Sequence, residues 1–352
     1  MPQDTLANQN TAATFVAALG VNTKAGYYID GYTNASLIIN SLDYLGISTV
    51  RDSYSQYGQS NTVLDALAAA DIKFDFRVSY TLPASGEAGI ESYIAAIKAF
   101  VAEHPGSVIA IEGINEANIG VFSYNGDSSL AGAAAFQKDL YTAIKADPEL
   151  SSVVVYNLSL SHGNAADYAA LGDLGAYSDA ANAHPYPVTG NPVDGQIESV
   201  FVLAGQNSSG DPLVVTETGY TTLASTDGIG VSESAQAKLI LQNLLAAYED
   251  GSTATYLYEL FDEPSIAATR GNKEASFGLF NADGTPKQAA VTIHNLTTIL
   301  NFGNDGTAST ASATDFTLSG APTNTHSMVL TKSGDVYDIV LWEKIGRASC
   351  RE

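Results

Sequence analysis

The chain has 352 residues, 45% of them hydrophobic and only 15% charged, enough apolar material for one large core or two medium ones and a composition that runs against global disorder. Its 15 basic and 38 acidic residues give a net charge of −23, which repels phosphates and disfavours nucleic acid or an anionic membrane as partner. The sequence contains no apolar run of about 18 residues, the length that spans a bilayer, and residues 1–20 lack the basic start and apolar core of an ordinary signal peptide.

In chain order, β-rich apolar runs alternate with Ala/Leu-rich stretches. Strands are predicted over 15–22, 48–53, 73–80, 108–115, 153–160, 182–186, 213–218 and 255–261. Helices are predicted over 35–45, 63–70, 90–104, 130–146, 165–171, 197–204, 233–248 and 287–300. Ile90, Tyr93, Ile94, Ile97 and Val101 repeat at the spacing of an amphipathic helix, and the unbroken apolar run 153–156 suits a strand covered on both faces. Eight strand–helix pairs predict an α/β (β/α)8 barrel over residues 1–303. A doubly wound open sheet is the structural competitor, but residues 23–27 are not the glycine-rich phosphate turn it carries after its first strand.

From about residue 304 the texture changes to small polar residues and then to short alternating runs at 315–318, 327–331 and 337–342. Residues 304–343 are therefore expected to be part of a truncated β-sandwich. The last nine residues, 344–352, hold the only cysteine, Cys350, and three basic residues against one acidic; they are expected to be a non-native tail translated from a sequencing adapter. Without them the chain is cysteine-free, which excludes disulfides and thiolate metal sites.

Barrel enzymes gather functional groups at the C-terminal ends of their strands. Here those ends hold Arg51 and Asp52 after the second strand, Asn115 and Glu116 after the fourth, His184 and Tyr186 after the sixth, Glu217 after the seventh, and Tyr258, Glu259 and Phe261 after the eighth. Carboxylates on strands four and seven can face each other across the barrel mouth. Such a pair suits glycoside hydrolysis, in which one acid gives a proton to the leaving oxygen and the other, ionised, attacks the sugar or activates water. The chain has no Gly-x-Ser-x-Gly elbow, no cysteine nucleophile and no His-Glu-x-x-His zinc motif. No metal and no cofactor are expected. Alternation along the fourth strand points Glu112 into the barrel with Glu116, as a buried partner for Arg51. Tyr258 and Phe261 serve as sugar platforms or as barrel filling; Asp262 and Glu263 read as a solvated acidic loop.

At these residues the chain resembles clan A glycoside hydrolases, retaining barrel enzymes with glutamates on strands four and seven. Residues 112–116 resemble the strand-four Asn-Glu motif and 215–219 the strand-seven nucleophile motif. The resemblance implies that Glu116 is the acid/base, Glu217 the nucleophile, Asn115 the partner of the substrate 2-hydroxyl and Arg51 the counter-charge of Glu217. His184 and Tyr186 match its strand-six positions, and residues 277–287 its stretch before the last helix. It covers roughly residues 15–300. Two positions depart from the pattern: strand eight offers tyrosines and Phe261 where many relatives carry tryptophan, and Lys24 stands where several have histidine.

The resulting expectation is a retaining hydrolase of β-linked oligo- or polysaccharides that needs no cofactor. A transglycosylase of the same clan and a non-catalytic carbohydrate-binding surface protein are the alternatives. Because polysaccharides lie mostly outside cells, the chain is expected to be a secreted bacterial protein.

Overall fold

The computed structural model describes residues 11–54, 58–189, 193–223, 229–302, 318–323, 325–333 and 336–343. Eight strands form one parallel sheet: β1 (Leu19–Asn22), β2 (Thr49–Ser53), β3 (Lys73–Arg77), β4 (Val108–Glu112), β5 (Val154–Tyr156), β6 (Ala181–Ala183), β7 (Leu213–Thr218) and β8 (Ser252–Leu257). Their order is β5-β4-β3-β2-β1-β8-β7-β6. A parallel bridge between Tyr156 and Ala180 spans the remaining gap, so the sheet closes into a barrel. The ring of helices comprises α2 (Ala35–Leu45), α3 (Gly58–Ala69), α4 (Gly86–Glu103), α5 (Leu130–Ala146), α6 (Ala165–Leu171), α7 (Val193–Asn207), α8 (Glu233–Glu249) and α10 (Gln288–Asn301), with α1 (Ala12–Ala17) ahead of β1 and the one-turn α9 (Ala267–Arg270) after β8.

Local chemistry accounts for these elements. On α4, Ile90, Tyr93, Ile94 and Ile97 are buried at helical spacing against the sheet. Ser129 caps α5 by accepting from the Gly132 amide, and Asn34 caps α2 from the Leu37 amide. Inside the barrel Ala110, Tyr156, Ala180, Val214 and Tyr256 form their own cluster. A side chain at Gly20 on β1 would stand 2.4 Å from the Tyr256 ring, so glycine there makes room for the tyrosine. Above this layer the lumen turns polar, with Asn22 in register with Arg51 and Arg51 with Asp75.

The predicted first strand is corrected at its start: residues 12–17 are helical, because Thr11 and Thr14 form a reciprocal capping box, and β1 begins only at Leu19. The predicted eighth strand is also shifted, since the ladder ends at Leu257 and residues 259–262 instead bond to residues 277–280.

After the barrel, β9 (Thr325–Thr331) and β10 (Tyr337–Glu343) form an antiparallel hairpin. Met328 and Leu330 belong to the main core, with Val340 and Trp342 packed against it. Gln242 on α8 donates to the Glu343 carbonyl at 2.8 Å, and Lys332 to the Ile299 carbonyl on α10 at 2.6 Å. The described part of the expected β segment is thus an antiparallel hairpin docked on the barrel. Residues 315–317 of the first of the three expected C-terminal runs, the polar stretch 304–314 and the tail 344–352 lie outside the described residues.

Candidate active site

A pocket of about 550 Å³ opens at the C-terminal ends of the strands, and Arg51, Asn115, Glu116, Tyr186, Glu217 and Tyr258 line it. Arg51 organises its floor. Its Nε and Nη2 donate to the two Glu112 oxygens at 2.5 and 2.7 Å, Nη1 to Asn22 Oδ1 at 2.9 Å and Glu217 Oε1 at 2.5 Å, and Nη2 also to Asn115 Oδ1 at 2.6 Å. A guanidinium has five N–H donors, and here all have acceptors, which fixes its plane and compensates its burial. Asp75 lies beside Glu112, and burial and the Glu112 charge hold its carboxyl well above the usual range, which favours its neutral form.

Glu217 ends β7. Its Oε1 takes the Arg51 bond and its Oε2 accepts from the Tyr186 hydroxyl at 2.9 Å. Burial pushes this carboxyl up, but an imidazolium at His184, the Arg51 guanidinium and the hydrogen bonds from Tyr186 and Arg51 outweigh it and hold it at about 2. Glu217 is therefore ionised at any ordinary pH. Burial and the charges of Glu217 and Glu116 push the Tyr186 hydroxyl well up, so it remains a donor.

Glu116 follows β4 with a left-handed backbone, φ 46°, a conformation that costs a non-glycine residue of order 1–3 kcal/mol and recurs at functional sites. Its amide donates to Ser159 Oγ at 3.0 Å, and its Oε1 lies 3.2 Å from His184 Nδ1. Among the described residues no arginine or lysine forms an ion pair with it. One oxygen of Glu116, one of Glu217 and a His184 nitrogen all lie within 4.8 Å of one another.

A hydrogen-bond chain assigns the His184 protons. Asn182 Nδ2 donates to the Asn157 carbonyl at 3.1 Å, so its Oδ1 accepts from Thr216 Oγ1 at 2.8 Å. That hydroxyl has given its proton, so it accepts from His184 Nε2 at 2.9 Å. In the neutral ring Nδ1 is then a lone pair to which a protonated Glu116 can donate, whereas in the imidazolium that favours ionised Glu217 an Nδ1–H faces Glu116 Oε1 instead. The Glu116–His184–Glu217 triangle has the donor types of a metal site, but Arg51 already occupies one Glu217 oxygen with a positive charge, which opposes a cation there.

Of the residues singled out in the sequence, Arg51, Asn115, Glu116, Tyr186, Glu217 and Tyr258 meet at this pocket. Three do not line it. His184 is buried behind the two glutamates and contacts them rather than the opening. Glu259 is fully buried; Tyr32 donates to it at 3.2 Å and Lys24 stands 3.1 Å away, while burial holds its carboxyl well above the usual range against the Lys24 charge. Phe261 is core, tilted against Tyr32 with ring centroids 5.1 Å apart. Both corrections share a cause, since residues 259–262 bond to residues 277–280 and are covered by them. Tyr258 faces the pocket, but its hydroxyl is engaged, donating to Glu274 at 2.9 Å and accepting from Lys24 at 2.8 Å. Nor is Glu263 solvated: it is buried and ion-paired with Lys24.

Sequence reasoning passed over Tyr27, Arg77 and Tyr80, and gave Asp52 no role although it named it at a strand end; all four line the pocket. Tyr80 accepts from Asn115 Nδ2 at 2.8 Å, and burial pushes the Asp52 carboxyl up to about 6 although four donors bond it. The strand-end rule would have found Arg77 and Tyr80, had it been applied to β3.

No protein-family model and no curated protein matches the chain. Solved structures do. The chain is similar to a family 39 glycoside hydrolase from Bacteroides cellulosilyticus, at 14% identity and a TM-score of 0.66, over 95% of this chain and 72% of that one. It is similar to a GH2 beta-galacturonidase from Eisenbergiella tayi, at 14% identity and a TM-score of 0.58, over 79% of this chain and 50% of that one. A glycoside hydrolase family 17 beta-1,3-glucanosyltransferase from Rhizomucor miehei matches at 18% identity and a TM-score of 0.55, over 78% of this chain and 96% of that one. The chain thus spans about half the length of the galacturonidase. These likenesses establish the barrel fold that glycoside hydrolases use.

Proposed function

We propose that the chain is a retaining glycoside hydrolase of clan A that cleaves β-linked glycans. The observation that carries this reading is the pairing of Glu116 and Glu217, with oxygens within 4.8 Å, one carboxylate clamped in its ionised form and the other held against an imidazole. Retaining enzymes place their carboxyl groups about 5–5.5 Å apart, whereas inverting ones leave about 6.5–9.5 Å for a water. The approach of one Glu116 oxygen to one Glu217 oxygen within 4.8 Å is in keeping with the retaining arrangement.

In the first step a Glu217 oxygen attacks the anomeric carbon. The bond to the leaving oxygen breaks, its electron pair stays with that oxygen, and Glu116 supplies the proton. His184 accepts from Glu116 in the acid form and holds it at the bond to be cut. Glu116, now ionised, takes a proton from water as that water attacks the glycosyl ester, and Glu217 leaves as a carboxylate. Arg51 and Tyr186 balance the Glu217 charge before attack and after release.

The similarity to a glucanosyltransferase favours a second reading, in which an acceptor sugar replaces water in the second step. The first step is shared, so product analysis at high acceptor concentration separates the two. A substrate found mostly outside cells also supports export of the chain.

Turnover of a panel of aryl β-glycosides tests the enzyme. The wild-type chain is expected to release the aryl group, and Glu217→Gln to lose on the order of 10⁴-fold or more in kcat, as removal of a nucleophile does elsewhere. Equal traces for the two would leave a non-catalytic carbohydrate-binding protein.

A further inference from the structure

We infer that the glycan taken by this pocket bears carboxylates, and that Arg77 receives one of them. This inference rests on the glycan-binding reading above and narrows it to uronate-containing chains. In a chain of 38 acidic and 15 basic residues an unpaired cation is unexpected. Lys24, Arg51, Lys98, Lys145, Lys287 and Lys332 all pair with carboxylates. Among the described residues Lys138, Lys238, Arg77 and Arg270 have no carboxylate within ion-pair distance; the two lysines are exposed on α5 and α8, and the two arginines line the active pocket.

Arg77 is the better-built of the two. It ends β3 and is partly buried, its guanidinium 5.6 Å from the Tyr27 ring and 5.7 Å from the Tyr80 ring. Its protein hydrogen bonds are one from Nη1 to the Val78 carbonyl at 3.4 Å and one from Nη2 to the Tyr27 hydroxyl. Donors remain over, and Nε, which has no acceptor among the described residues, is not sealed in the core. A guanidinium held between two rings with free N–H groups is a preorganised fork for a planar anion. Its neighbour Tyr80 bonds Asn115, which bonds Arg51, so the fork is built into the same scaffold as Glu217. Arg270, exposed at the end of α9, adds a second positive group at the rim without competing for a protein carboxylate.

Calorimetry on the Glu116→Gln chain, which removes turnover, tests this with matched probes. The probes are β-1,4- and β-1,3-linked gluco-oligosaccharides whose C6 carbons are either carboxylate or hydroxymethyl. At least one carboxylate probe is expected to bind about 10-fold or more tighter than its hydroxymethyl partner, the factor one charge-assisted hydrogen-bond pair supplies, with an advantage that shrinks as salt rises. Arg77→Met should abolish that advantage, bringing the carboxylate and hydroxymethyl members of each pair to equal affinity. If Arg77→Met does not fold, Arg77→Lys, which keeps the charge and loses the fork, is expected to retain only part of it. Equal binding within each pair, no binding of any carboxylate probe, or an advantage untouched at Arg77 would overturn the inference. Carboxylate binding without turnover by the wild-type chain would instead keep the Arg77 site and remove the hydrolase.

Discussion

Tyr186 and Arg51 approach Glu217 on different oxygens, and each keeps it ionised by a different means, a neutral donor on Oε2 and a cation on Oε1. Because the folded carboxyl lies near 2 against an ordinary 4.5, its ionisation contributes stability fully present above about pH 4.5 and lost as pH falls through about 2. The same ionisation is needed for attack. Tyr186→Phe deletes one donor and leaves Arg51 in place, so the carboxyl should move up. The acid limb of kcat/KM is expected to shift to higher pH, with kcat lower by about 10- to 100-fold, the range for losing one hydrogen bond to a reacting charge. An acid limb that stays in place would mean that Tyr186 does not act on Glu217. Most of this residue-level arrangement was legible in the sequence, because strand-end position and side-chain chemistry together select Arg51, Asn115, Glu116, Tyr186 and Glu217. Glu259 does not reach the pocket and Phe261 takes the barrel-filling alternative for one physical reason: alternation holds only while a strand stays in its ladder, and the chain leaves the ladder at Leu257.

At the scale of elements, β4 and the loop after it decide where Glu116 stands. Gly113, the first residue after β4, sits against α5, and a side chain there would come within 2.0 Å of Gln137 Oε1 and 3.0 Å of the Leu158 amide. Gln137 cannot easily yield, since its Nε2 bonds the Tyr156 and Tyr177 carbonyls. Gly113→Ala is therefore expected to destabilise the chain by roughly 1–3 kcal/mol, the usual range for overpacking, and to lower kcat by displacing Glu116. Chemical denaturation and turnover check both arms; an unchanged midpoint would show that the contact relaxes freely. Helices α2, α5 and α6 were read to their ends, because an Asn or Ser cap marks each start. The six-residue α1 is too short for helical periodicity to show, and its Thr-x-x-Thr box was the only sequence signal.

For the whole molecule, the hairpin and barrel share one core. Met328 and Leu330 are buried in the main cluster, and the only tryptophan, Trp342, lies on the hairpin with its ring 5.3 Å from His326. Thermal unfolding followed by tryptophan emission and by far-ultraviolet dichroism should therefore give coincident transitions. A tryptophan transition at distinctly lower temperature would show that the hairpin detaches before the barrel melts. That 325–331 and 337–343 are strands outside the barrel sheet was legible from the alternating runs at 327–331 and 337–342; their docking on α8 and α10 was not, because it depends on single polar contacts such as Gln242 to the Glu343 carbonyl.

The central claim is that Glu217 forms a covalent bond to the sugar. The most direct measurement is mass spectrometry of the chain after incubation with a panel of 2-deoxy-2-fluoro β-glycosides carrying good leaving groups; the fluorine disfavours the oxocarbenium-like transition state, so release by water becomes slow. The account predicts a mass increase of one fluoroglycosyl residue, on the peptide that contains Glu217. Turnover of the corresponding ordinary glycosides with no adduct, or an adduct on any other residue, would contradict it.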